Sequence, residues 1–163
     1  MPQASPPLQV AVCGDGDPRT PHADAAAEAG RLIAEAGAVL LTGGMTGVMA
    51  AATAAAEAAG GVSCAVLPGS SPGSGRAPAR VRVATGAGEA RNVILVRSAG
   101  AVVAIGGGYG TLSEIAVARK LGVPVFGFHS WTAAQAGAEP EPLLQDCPTI
   151  GEAVDRALAA ARG

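Results

Sequence analysis

Ala101-Val102-Val103-Ala104-Ile105-Gly106-Gly107-Gly108-Tyr109-Gly110-Thr111-Leu112-Ser113-Glu114 carries the clearest structural signal in the chain. Its first five residues are continuously apolar, as a strand covered on both faces must be. Three glycines end that strand, and a helical stretch over 110–121 follows directly. A strand that passes through glycine into a helix is the building unit of a parallel sheet, because parallel neighbours need a crossover between them.

On either side of it, β-forming runs at 8–13, 38–42, 62–67, 81–84 and 123–127 alternate with Ala-rich helical stretches at 22–36, 46–59, 88–98 and 150–161. Gly37, Gly60 and Gly122 stand just past three of these helices as C-terminal stops. The expected fold class is therefore α/β: a single doubly wound, Rossmann-like parallel sheet with helices on both faces. Residues 8–163 are expected to form one nucleotide- or phosphate-binding domain behind a flexible N-terminus, 1–7. The breaker-rich segment 68–79 suits either an ordered surface loop or a lid, and 132–149 is expected to wrap the sheet edge without regular structure. No internal repeat is present.

The composition agrees with this layout. The chain has 163 residues, enough for a continuous core, and 49% are apolar but only 2% aromatic. Ala, Val, Leu and Ile must then fill the core, so helices should lie close to the sheet. Eleven basic residues are scattered through a chain of net charge -2, which leaves no electrostatic footprint for a nucleic acid polymer or an anionic membrane. Cys13, Cys64 and Cys147 are odd in number and lack metal or disulfide spacing. His22 and His129 stand alone, so no metal site is expected. With no basic leader before Gln9 and no apolar run of about 18 residues, a cytoplasmic location is expected.

The strands at 8–13, 38–42 and 101–105 each run into glycine, and in a parallel sheet their carboxyl ends share one edge. Open α/β sheets bind ligands at that edge, where strand order reverses. The turn over Gly107, Gly108, Tyr109, Gly110 and Thr111 presents backbone amides at a helix N-terminus with little side-chain bulk, which is an anion site. The hydroxyl of Thr111 adds a further donor. Gly43, Gly44, Thr46 and Gly47 repeat the layout after the second strand, and Gly14 ends the first. The same small residues also suit close packing without any ligand. Asp15 reads as a former of the turn after the first strand.

Two charged residues lie beside the main turn. Glu114 reaches the first turn of the 110–121 helix, and it fits either a capping box with Thr111 or a chemical role next to the bound anion. Arg91 begins the preceding helix, where a cation gains nothing from the helix dipole. It reads as a ligand partner or as a solvated surface arginine.

Taken together, Thr42 to Met49 and Arg91 to Glu114 resemble the LONELY GUY family, phosphoribohydrolases once labelled lysine decarboxylases, over about residues 8 to 128. That resemblance implies that the glycine-threonine turn holds the 5′-phosphate of a nucleoside monophosphate. It implies also that Arg91 and Glu114 are the catalytic pair that assists cleavage of the N-glycosidic bond. The sequence departs from the family at Ala90-Arg91-Asn92, where the family has Glu-Arg-Lys, and at Gly106, where it has proline. In those departures it looks more like a short bacterial branch that includes molybdenum-cofactor carrier proteins, which bind a phosphorylated pterin rather than cleave it.

The expected function is binding of a phosphorylated nucleotide-like molecule, with hydrolysis of a nucleoside 5′-monophosphate as the main reading and a non-catalytic carrier or sensor of a phosphorylated pterin or nucleotide as the alternative. A homodimer or larger homo-oligomer is implied by the resemblance, and no resident cofactor is expected. Pyridoxal phosphate chemistry is rejected. Lys120, the single lysine, falls at the far end of the 110–121 helix, roughly 15 Å from the phosphate turn at about 1.5 Å per residue.

Overall fold

In the computed structural model, which describes residues 5–132, 136–137 and 142–163, the apolar β-branched runs form six strands of one sheet, and the polar pair Gln145–Asp146 adds a seventh. In chain order the elements are β1 (Gln9–Gly14), α1 (Ala23–Glu35), β2 (Val39–Thr42), α2 (Val48–Ala58), β3 (Val62–Leu67), β4 (Val81–Ala84), α3 (Arg91–Arg97), β5 (Ala101–Ile105), α4 (Tyr109–Leu121), β6 (Val125–Phe128), β7 (Gln145–Asp146) and α5 (Ile150–Ala161). Short 3-10 turns lie at Pro72–Ser74 and Gly88–Ala90. The sheet order is β4-β3-β2-β1-β5-β6-β7, and every pairing is parallel.

Alternation along the strands divides the core between two faces. Val10, Val12, Leu40, Val103 and Ile105 pack beneath α1, α2 and α5. Ala11, Cys13, Leu41, Val102 and Ala104 point the other way, under α3 and α4. The sheet is thus doubly wound, and the chain reverses its direction of winding between β1 and β5.

Small residues set the helix spacing. A Cβ on Gly30 of α1 would run into the backbone of Ala52 in α2. Only glycine lets these two helices meet so closely, and Ala26, Ala29, Ala52 and Ala56 are among the buried residues of the same two helices.

Two expectations need correction. The stretch 132–149 carries the short edge strand β7, whose Gln145 and Asp146 align with Phe126 and Gly127; residues 133–135 and 138–141 lie outside the described residues, as do residues 1–4 of the expected flexible N-terminus. The capping box at 111–114 does not form. Helix α4 begins at Tyr109 with Gly108 as its N-cap, so Thr111 already lies inside the helix, and its Oγ1 has no hydrogen-bond partner.

Candidate functional site

The site grows from the pairing of β1 with β5, which sets Gly14 opposite Ile105. A Cβ at Gly14 would lie 2.5 Å from the carbonyl oxygen of Ile105 and 2.6 Å from Val48 Cγ1, so only glycine lets the strand end here. Beyond it the carboxylate of Asp15 accepts from Thr20 Oγ1 at 2.8 Å and from the Asp17 amide at 3.3 Å, folding the chain into a tight turn.

The turn after β2 clasps this first one. Thr46 Oγ1 donates to the Gly16 carbonyl at 2.5 Å, and the Val48 amide donates to the Asp15 carbonyl at 3.0 Å. Gly47, at φ 66°, sits so near Asp15 that a side chain would collide with it. The carbonyl of Gly44 accepts from the amides of Arg76 and Ala77 at 2.8 and 3.0 Å, which ties down the 68–79 segment. Gly43 backs the guanidinium of Arg91, where a Cβ would lie 2.5 Å from Nη1.

A cavity of about 200 Å³ opens between the β1 turn, α3 and the start of α4, lined by Gly14, Asp15, Gly16, Met49, Glu89, Arg91, Asn92, Gly108, Gly110, Thr111 and Glu114. Gly14, Gly108, Gly110, Thr111, Arg91 and Glu114 of the expected site meet here. Gly43, Gly44, Thr46, Gly47, Gly107 and Tyr109 do not line it. Gly107 shapes it instead: φ is 111°, and a Cβ would lie 2.5 Å from the Thr111 side chain. Around Gly108 and Gly110 an added Cβ would meet nothing within 4 Å, so an approaching ligand can reach the backbone. The amides of Gly107 and Gly108 find no acceptor among the described residues, and the first helical amide bond of α4 is Leu112 to Gly108 at 3.0 Å. The amides before it are free to face an anion.

Buried polar atoms surround the same space. Arg91 and Glu114 are 7% and 6% exposed, and Arg91 Nη1 donates to Glu114 Oε1 at 3.4 Å. Asn92 Nδ2 donates to Ser113 Oγ at 2.8 Å, and that hydroxyl donates to the Gly110 carbonyl at 2.9 Å. Among the described residues, three buried side-chain atoms are left without partners: Arg91 Nε, Asn92 Oδ1 and Thr111 Oγ1. Each costs about 1 to 3 kcal/mol while unpaired.

Burial pushes the Glu114 carboxyl up to about 7; Arg91 and a hydrogen bond with Cys13 oppose the shift, and Glu89 adds to it. Burial likewise raises the Cys13 thiol, with the Glu114 charge adding to the effect, so the thiol stays protonated. Asp15 and Glu89 leave the cavity wall rich in acceptors. The groups able to hold an anion there are backbone amides, Thr111 and Arg91, while the carboxylates suit hydroxyl or amino groups.

Asn92, Gly16, Met49 and Glu89 escaped the sequence reading. Only Asn92 carried a signal, a polar side chain in the first turn of an otherwise apolar helix next to Arg91. Arg91 is buried, as a solvated surface arginine would not be. Lys120 is exposed in the last turn of α4, at the opposite end from the cavity. Among the described residues no group of three or more His, Cys, Asp or Glu side chains is placed to hold a metal ion, and no helix is long and apolar enough to cross a membrane.

A parallel sheet wound in both directions, with a glycine-lined cavity where its strand order reverses, defines a Rossmann-like α/β protein. Residues 7–151 match the model of the SLOG cluster4 family, and the chain belongs to that family. An uncharacterized protein of Archaeoglobus fulgidus is 44% identical over 115 residues, which cover 71% of this chain and 76% of the relative. Among solved structures, the molybdenum cofactor binding protein of Rippkaea orientalis is 29% identical with a TM-score of 0.82, over 96% of this chain and 98% of its own. The molybdenum cofactor carrier protein of Chlamydomonas reinhardtii is 31% identical with a TM-score of 0.79, over 94% and 99%.

Proposed function

We propose that this chain is a carrier that holds a phosphorylated, heterocycle-bearing small molecule without cleaving it, the molybdenum cofactor being the representative its structural relatives suggest. The observation that carries this reading is the set of unpartnered buried atoms, Arg91 Nε, Asn92 Oδ1 and Thr111 Oγ1, around one small cavity at the start of α4. A phosphate seated on the free amides of the Gly107 to Gly110 turn accepts from Thr111 and Arg91. Asn92 accepts a hydroxyl or amino hydrogen from the rest of the ligand.

Retention rather than turnover is favoured by Asn92, which stands where the hydrolase pattern has lysine, and by the carrier proteins among the structural relatives. Hydrolysis of a nucleoside 5′-monophosphate is the second reading, and one observation favours it. A Glu114 carboxyl at about 7 beside Arg91 has the poise of a general acid or base at neutral pH.

Thr111→Val tests the anion site. It removes an unpartnered buried hydroxyl while keeping the shape, so the variant is expected to melt no lower than the parent without ligand. Its melting point should no longer rise when a phosphorylated pterin or nucleoside monophosphate is added. A variant with lowered stability and an undiminished ligand shift would overturn the assignment of Thr111 to the phosphate.

A further inference from the structure

A second hollow, of about 500 Å³, lies on the far side of the glycine turn, against Gly106, Gly107, His22, His129, Ser130 and Trp131. The first cavity alone, at about 200 Å³, is smaller than the roughly 300 Å³ at which small-molecule pockets begin. A phosphate and the groups next to it fill it, and a ring system must extend outside.

The chain contains one tyrosine and one tryptophan, and the two stand together at this rim. Tyr109 and Trp131 have ring centroids 5.7 Å apart, tilted by 36°. Trp131 is anchored, its Nε1 donating to the Gly108 carbonyl at 3.1 Å. Tyr109 is 84% exposed, although its ring is among the largest apolar surfaces the chain owns. On the other side of the hollow His129 stacks on Phe128 at 4.1 Å and meets the His22 ring edge-on at 5.9 Å. His129 also holds a positive φ of 50°, uncommon for a residue with a side chain.

We infer that the Tyr109 and Trp131 rings form a stacking platform for the planar heterocycle of the ligand, which crosses the Gly106 to Gly108 ridge while its phosphate occupies the smaller cavity. This deepens the carrier reading and rests on it. The ring lies on the outer face of the pair, since insertion between them needs about 7 Å, twice a carbon contact of about 3.5 Å. The imidazoles of His22 and His129 each donate or accept, which suits the mixed hydrogen-bonding edge of a pterin or purine.

Trp131 is the sole tryptophan, so its fluorescence reports on this rim. The intact protein, Tyr109→Ala and Trp131→Leu are titrated with GMP, a phosphorylated pterin and ribose 5-phosphate, with calorimetry for the tryptophan variant. Expected are quenching of Trp131 by the tighter heterocyclic phosphate, a loss of its affinity by about tenfold in either variant, and unchanged affinity for ribose 5-phosphate. Equal weakening of ribose 5-phosphate and the heterocyclic ligands, or no weakening at all, would overturn the platform and leave the anion site standing. A parent protein that binds none of the three overturns both. Because the Tyr109 side chain is exposed, its truncation leaves the fold intact, and a change confined to oligomeric state would also count against the platform.

Discussion

At the scale of single residues, the glycines of the turn sort into those that shape it and those that leave room. Gly107 needs its positive φ and has Thr111 against it, whereas Gly110 lies in the first turn of α4 with open space around it. Gly110→Ala is accordingly expected to raise stability by up to about 1 kcal/mol in thermal unfolding while weakening phosphate ligands several-fold by calorimetry. Gly107→Ala should lose both stability and binding; a Gly110→Ala protein with full affinity would argue that no ligand approaches there. Glu114 makes a pH prediction. Its carboxyl titrates near 7 in the folded chain against an ordinary 4.5, so its contribution is fully present below about 4.5 and is lost as pH rises through about 7. Relative to Glu114→Gln, the parent should lose roughly 3 kcal/mol across that window, at about 1.4 kcal/mol per unit, and nothing more above it. A stability difference that stays constant from pH 5 to 8 would show that the carboxyl is not held in its neutral form.

At the scale of elements, much of the fold was legible because strands write themselves as short apolar or β-branched runs, whether buried on both faces like β5 or at the exposed edge like β4. The runs at 62–67, 81–84 and 101–105 are β3, β4 and β5 with the same ends, and 150–161 is α5. Boundaries moved where backbone geometry overrode composition. Gly47 at φ 66° delays α2 to Val48, and Gly88 at φ 55° turns the start of the 88–98 stretch into a 3-10 turn before α3. Strand β7 was invisible because two polar residues carry no alternation; it exists through register with β6. At the site, Gly108, Gly110 and Thr111 were legible from the glycine turn itself, whereas Arg91 and Glu114 were singled out by the family resemblance; all five line the cavity. The clasp formed by Thr46 and Gly47 on the β1 turn depends on contacts between segments some thirty residues apart, which no local pattern records. The close approach of α1 to α2 was foreshadowed only by the alanine content. Gly30→Ala is expected to cost about 1 to 3 kcal/mol, read as a lowered unfolding midpoint, because the new methyl meets the Ala52 backbone. An unchanged midpoint would mean that the two helices separate freely.

At the scale of the whole molecule, the two faces of the sheet divide the labour. Helices α1, α2 and α5 cover one side with small apolar residues, and α3 and α4 on the other carry Arg91, Asn92, Thr111 and Glu114 to the edge where winding reverses. A chain of net charge -2 with acidic groups on the cavity wall does not attract anions over long range. On the proposed reading, a phosphate would be held locally, by amides and one arginine, as suits a carrier that takes up and releases its cargo. The most direct measurement mixes the purified protein with molybdenum cofactor and, separately, with a panel of nucleoside monophosphates, then assays by chromatography the ligand retained and the free base released. Retention of the phosphorylated heterocycle in near-stoichiometric amount and no free base are expected. Steady release of base that disappears in Glu114→Gln would contradict the carrier reading and make the protein a hydrolase.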